Sequence, residues 1–272
     1  MKEYLKQLVN EKPNQLLKKN VVREYLQARV LQGLQDSDVF LNWAFLGGTA
    51  LRFLFNIPRY SEDLDFSLIK PEQGCEFEKA LRKIKTLFES EKYDIQIKVS
   101  PEKTVMSAFL KFPGILYEMG ISPYENEVLS IKFEIDTNPP KMANISSTIV
   151  RRFVTVNISH YDKASLLAGK LHAVLSRPYT KGRDIYDLIW YLSDISWPSP
   201  NFSFLNAALE QTNWGGEVVS RHNLKDILYH KISGLQWNKV QSDLLPFMER
   251  QQDLSLVTRE NCLKLIEGKE FT

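Results

Sequence analysis

The chain has 272 residues, enough to bury a sizeable core in one large domain or two smaller ones. Its 43% hydrophobic and 25% charged content excludes a disordered, fibrous or low-complexity chain. With 35 basic and 33 acidic residues the formal charge is only +2, which permits a polynucleotide partner without demanding one.

The N-terminus, MKEYLKQLVNEKPNQLLKKN, is charged and amphipathic, and it lacks the apolar core and small-residue cleavage site of a signal peptide. Val22, Tyr25, Leu26, Val30 and Leu31 recur at helical spacing, predicting a helix over 21–34. The most apolar stretch, 39–55, is interrupted by Asn42, Gly47, Gly48 and Arg52, so no membrane span is expected. Within it, Gly47-Gly48-Thr49 leads into a helix that begins near Thr49 and is expected to stop at Pro58. Residues 63–68 alternate polar and apolar. A strand there points Leu64, Phe66 and Leu68 into the core and puts Asp63 and Asp65 together on the other face. Cys75 and Cys262 form no CxxC pair, which argues against a disulfide framework or a cysteine zinc site and fits a reducing, cytoplasmic compartment.

A helix is predicted over 77–88 and strands at 95–99 and 131–135. The last strand leaves Lys132, Glu134 and Asp136 on the face opposite Ile131, Phe133 and Ile135. After a final strand near 153–158, helical patterns at 164–175, 185–192 and 224–232 dominate. Two domains are expected, with 1–158 holding the sheet and N-terminal helices and 159–272 forming a helical lobe. Tyr186, Trp190 and Tyr191 read as packing, and His160, His172, His222 and His230 have no metal-ligand spacing.

Two aspartates two residues apart on a strand present hard oxygens suited to Mg²⁺, with Mn²⁺ as the alternative. Nucleotidyl transfer needs such carboxylates to gather divalent ions about 3.5–4 Å apart. A third acid from a neighbouring strand completes the set, Glu134 first and Asp136 second. The Gly47-Gly48-Thr49 turn opens a helix, where free amides and the helix dipole attract phosphate. Alone, neither feature is specific. Together with Arg59 and Ser61 they point to a metal-dependent nucleotidyltransferase acting on a nucleoside triphosphate. Rival readings are a dehalogenase-like phosphatase, whose DxD ends a buried apolar strand, a DxD glycosyltransferase, and a catalytically silent nucleotide- or partner-binding protein.

The segments GGTALRF, RYSEDLDFS, AGKLHAVLSR and KGRDIYDLIW resemble the AbiEii/AbiGii toxin family of nucleotidyltransferases, with the match running over roughly 40–195. The resemblance implies an α+β fold, with a polymerase β-like mixed sheet, flanking helices and a C-terminal helical lobe. It also implies the toxin of a toxin–antitoxin pair, with a cognate antitoxin as partner. Relatives such as the MenT toxins imply transfer to the 3′ end of tRNA, and nucleotidylation of a protein hydroxyl is the alternative. Carried over residue by residue, the family's glycine motif falls on Gly47, Gly48 and Thr49, and its serine and metal aspartates on Ser61, Asp63 and Asp65. Its lysine falls on Lys170 and its later aspartate on Asp184. Arg52, Arg59 and Arg183 lie inside the matched motifs. Lys170 and Arg177, seven residues apart on one helix face, are expected to clamp the phosphates or the incoming base, with Asp184 orienting Lys170.

Overall fold

The computed structural model describes residues 2–100 and 104–272. The chain forms two compact units, one of Met1–Asn56, Tyr60–Pro139 and Ser147–His160, the other of Ile57–Arg59, Pro140–Ser146 and Tyr161–Thr272. The fold is α+β, a mixed sheet with many helices.

The first unit opens with α1 (Lys2–Asn10) and the long α2 (Gln15–Gln35). Asn14 starts α2 by accepting the Leu17 amide on its side chain, satisfying one of the orphan donors of a helix N-terminus. Then follow β1 (Trp43–Leu46), α3 (Gly47–Phe55), β2 (Leu64–Leu68), α4 (Phe77–Ser90), β3 (Gln96–Val99), β4 (Val105–Pro113), the single turn α5 (Ile115–Glu118), β5 (Val128–Asp136), β6 (Ile145–Arg152) and β7 (Val154–Tyr161). α3 does not run to Pro58. Asn56 takes up a left-handed conformation, φ 56°, and its amide closes onto the Leu51 carbonyl, ending the helix two residues before the proline.

The seven strands lie in the order β3-β4-β5-β2-β1-β7-β6. β1 runs antiparallel to β2 and parallel to β7, β2 is parallel to β5, and β5, β4 and β3 are joined antiparallel. One sheet face is buried, as the alternating sequence requires: Leu64, Phe66, Leu110, Phe112, Ile131, Phe133 and Ile135 are all nearly or wholly inaccessible. Trp43, Phe66 and Phe133 pack their rings there at tilted angles with centroids 5.4–5.9 Å apart, and Phe77 of α4 stacks on Phe133. Helices α2 and α4 pack on each other over this core. The opposite face carries the polar alternation and with it the candidate chemistry.

The second unit holds α6 (Lys163–Ser176), α7 (Gly182–Ser193), α8 (Phe202–Gln211), α9 (Leu224–Ser233), α10 (Trp237–Leu244) and α11 (Arg259–Gly268). α6 packs on α7 and α8, and α7 also meets α10 and α11. Trp197 is sandwiched by Trp190 and Tyr191 at centroid distances of 5.1 and 4.7 Å, so this aromatic repeat is packing. Two earlier segments belong to this unit. The Pro58 carbonyl accepts the Glu249 amide, and the Asn144 carbonyl accepts the Asp162 amide. No described helix is long and apolar enough to cross a membrane.

Candidate active site

In the first unit the Gly-Gly turn and the aspartates are built as one piece. β1 and β2 pair so that Leu46 lies opposite Asp65, which brings Gly47, the next residue, against the Asp65 side chain. Gly47 has φ +79°, and a β-carbon there would collide with Asp65 Oδ2 and lie 3.1 Å from its carboxyl carbon. Only glycine permits both that backbone angle and that approach. Thr49, the third residue of α3, donates its hydroxyl to the Asp63 carbonyl, which fixes the start of the helix to the residue before β2. The Gln27 amide donates to the Ser61 and Glu62 carbonyls, steadying the approach to the strand from α2.

β5 then supplies the neighbouring acids. Parallel pairing with β2 sets Glu134 directly beside Asp65, and Asp136 beside Ser67. Cross-strand partners point to the same side, so Asp65 and Glu134 share the polar face. Lys132, two residues before Glu134 on that face, donates to its carboxylate at 2.8 Å. The hydrogen bond to Glu134 is the main reason its ammonium is held above the ordinary lysine value, and the charges of Asp63 and Asp65 add to it. Asp136 is different: burial raises its pKa, and its carboxylate caps the Asn138 amide. The register therefore favours Glu134 over Asp136 as the third acid. Lys132 was visible in the sequence as a member of this face, but nothing there marked it as the counter-ion of the acids.

The remaining matched residues fall elsewhere. Arg52 is buried, paired with Glu24 at 2.6 Å and stacked over Tyr60, inside the first unit. In the second unit Lys170 of α6 contacts two acids of α7, Asp184 at 2.7 Å and Asp187 at 2.8 Å. Asp187 is fully buried and also takes Arg59 through two parallel bonds of 2.5 Å each. Arg177, just past the end of α6, pairs with the other oxygen of Asp184. Burial opposes ionisation of Asp184, but Lys170 and Arg177 outweigh it and hold the carboxyl below its usual range. Lys170 is likewise kept charged against burial by Asp184 and Asp187. Arg183 rests over the Phe247 ring at 4.1 Å. Asp187 was missed by sequence reasoning, although its position three residues after Asp184 on one helix face was the available signal.

The network holds three cations, Arg59, Lys170 and Arg177, against two carboxylates, Asp184 and Asp187, leaving a surplus of one positive charge. Arg177 is its most open member, with 35% of its side chain accessible. Such a site keeps a net attraction for anions.

The donor set of the first unit is one a hard divalent ion accepts. Among the described residues no three acidic, histidine or cysteine side chains already converge as a complete ligand shell. Magnesium does not need one, because it commonly binds one or two carboxylates and completes its shell with water and substrate phosphates. Asp65 and Glu134 in register, with Asp63 beside them, fit that mode.

The AbiEii profile, a nucleotidyl transferase toxin of type IV toxin–antitoxin systems, matches residues 29–256. The chain belongs to the AbiEii family. It is thus a nucleotidyltransferase toxin by family, and the divalent-metal chemistry general to such enzymes suits the acids found here. Among solved structures, the AbiEii chain is similar to MenT4, a nucleotidyltransferase toxin of Mycobacterium tuberculosis H37Rv. Identity is 14% and the TM-score 0.58, covering 98% of this chain and 90% of that one. It is also similar to JHP933 of Helicobacter pylori, with 18% identity, a TM-score of 0.56, and 91% and 90% of the two chains covered. At these identities the likeness establishes the fold. No curated protein matches the sequence.

Proposed function

We propose that this AbiEii toxin transfers a nucleoside monophosphate from a nucleoside triphosphate to the 3′ hydroxyl of an RNA, with tRNA as the RNA. The observation that carries the reading is the pairing of Asp65 with Glu134 beside the Gly47-Gly48-Thr49 turn, acids and phosphate cradle on one sheet face. Asp63, Asp65 and Glu134 would hold Mg²⁺. When bound, the ion neutralises triphosphate charge and makes the attacking hydroxyl more acidic.

The chain's own groups do the rest. The amides of Gly48 and Thr49, in the first turn of α3 where the helix itself offers them no carbonyl, donate to phosphate oxygens and draw them with the helix dipole. Glu134 accepts the proton of the 3′ hydroxyl as its oxygen bonds to the α-phosphorus. The bond from that phosphorus to the β-phosphate oxygen breaks, and pyrophosphate departs with its electron pair. Lys132 keeps Glu134 aimed across the face before substrate arrives. Within the second unit, Asp184 and Asp187 hold Lys170 in place, and Lys170 with Arg177 presents positive charge that suits an anionic ligand.

The test mixes pure protein, Mg²⁺, each α-labelled triphosphate in turn, and total RNA. Label entering RNA of tRNA size supports the reading. Label entering protein alone moves the acceptor to a protein hydroxyl, and no label anywhere with folded protein overturns transfer altogether.

A further inference from the structure

The polar face of the sheet continues past the acids toward the β3 edge, and its composition changes there. β3 and β4 pair Lys98 with Phe109 and Gln96 with Lys111. β4 and β5 pair Phe109 with Lys132, Lys111 with Ser130, and Ser107 with Glu134. Because cross-strand partners point the same way, Lys98, Phe109 and Lys132 form one row over three strands, with Lys111 two residues along. The next row is Ser107, Glu134 and Asp65. A basic and aromatic strip thus adjoins the acidic row, and the Lys132–Glu134 contact of 2.8 Å joins the two.

Phe109 is the unusual member. Its neighbours along β4, Ala108 and Leu110, are fully buried in the core, whereas Phe109 points to the other face and keeps part of its surface accessible. It takes no part in the apolar cluster. The accessible part of a large ring held on a strand among lysines, outside the core, is apolar surface on which a planar group can stack. Lys98 is exposed and Lys111 part-exposed, so their charge is available, while Lys132 is engaged with Glu134. Lysines spaced around a flat aromatic surface suit one ligand chemistry above others: a single strand of nucleic acid, bases on the ring and phosphates on the ammonium groups. A protein partner would make less use of a lone ring ringed by cations.

We infer that Lys98, Phe109 and Lys111 form a landing strip for the single-stranded end of the acceptor, leading its terminal hydroxyl toward Glu134 and Asp65. This rests on the RNA-acceptor reading and names the part of the chain that would grip the RNA.

The experiment measures fluorescence anisotropy of a labelled single-stranded RNA of about 12 nucleotides, a length one such domain can cover. Wild type, Phe109→Ala, Phe109→Tyr and the double variant Lys98→Ala/Lys111→Ala are titrated at several salt concentrations. Loss of one stacked base weakens binding about tenfold in Phe109→Ala, and Phe109→Tyr, which keeps the ring, restores it. The double variant lowers the slope of log affinity against log salt by about 1.4, since each single-strand phosphate contact contributes about 0.7. Wild-type affinity and slope in both alanine variants would overturn the strip while leaving transfer to RNA intact. Transfer of label by the wild type to protein only, without RNA binding, would instead overturn the reading beneath it.

Discussion

The α-carbon of Gly47 faces the carboxylate of Asp65 so closely that no side chain fits between them. The Gly47-Gly48 turn and the acid therefore cannot be altered independently. Gly47→Ala meets both a strained backbone angle and a clash with the functional oxygen. It is expected to cost about 1 kcal/mol or somewhat more in stability and to abolish nucleotide transfer. Thermal unfolding and a transfer assay on the same preparation check this. Near-normal transfer by Gly47→Ala would show that the Asp65 carboxylate need not occupy its observed place.

Lys132 occupies the acids' field with its own positive charge. Removing it in Lys132→Met frees Glu134 for a divalent ion. For a part-exposed pair the competition is worth at most about 1 kcal/mol, so Mn²⁺ affinity should rise about two- to fivefold. Calorimetric titration of Mn²⁺ without nucleotide reads this directly. A fall in affinity would mean that Lys132 supports the site in another way.

Asp187 carries two buried cations, Arg59 and Lys170. Asp187→Ala removes the two-bond partner of Arg59 and leaves Lys170 with Asp184 alone, which is expected to destabilise the helical unit by about 3 kcal/mol. Urea unfolding followed by tryptophan fluorescence is the suitable probe, because Trp190 and Trp197 pack in the same unit. A shift under about 1 kcal/mol would show that water replaces the lost partner.

The depressed pKa of Asp184 sets a pH dependence with a definite sign. Its folded value lies below the ordinary 3.8, so its contribution is fully present above that value and is lost as pH falls through the folded pKa. Lys170, raised above 10.5, contributes below that value and loses its contribution only as pH rises through its higher folded pKa. Between these limits the pair contributes a constant amount. Replacing Asp184 by Asn should flatten the acid limb of the stability curve below pH 3.8 and change little of its shape near neutrality.

Much of the sheet unit was legible in the sequence because its strands alternate. Leu64, Phe66, Ile131, Phe133 and Ile135 fixed which face was buried, and the acids followed on the other. β4 and β6 escaped notice: Met106-Ser107-Ala108 and the exposed Ser146-Ser147-Thr148 carry too little apolar contrast for a period of two. Register also lay outside the sequence. IKFEID offers two acids, read as Glu134 first and Asp136 second, and the β2–β5 pairing is what sets Glu134 beside Asp65. Lys170 with Arg177 was readable from helical spacing and Asp184 from the family motif, whereas Arg59 reaching Asp187 joins residues 128 positions apart and has no local signal. The later helices α8, α10 and α11 were not read from the sequence; they are only 10, 8 and 10 residues long.

The central claim is that the Asp65 carboxylate, seated on Gly47 and beside Glu134, is indispensable to nucleotide transfer. Asp65→Asn keeps the shape and the fit against Gly47 while removing the charge. The direct measurement is incorporation of α-labelled nucleotide into RNA by wild type and Asp65→Asn, at equal concentration and with matching circular dichroism. The account predicts label with the wild type and background only with the variant; transfer by a folded Asp65→Asn protein at a rate close to wild type would contradict it.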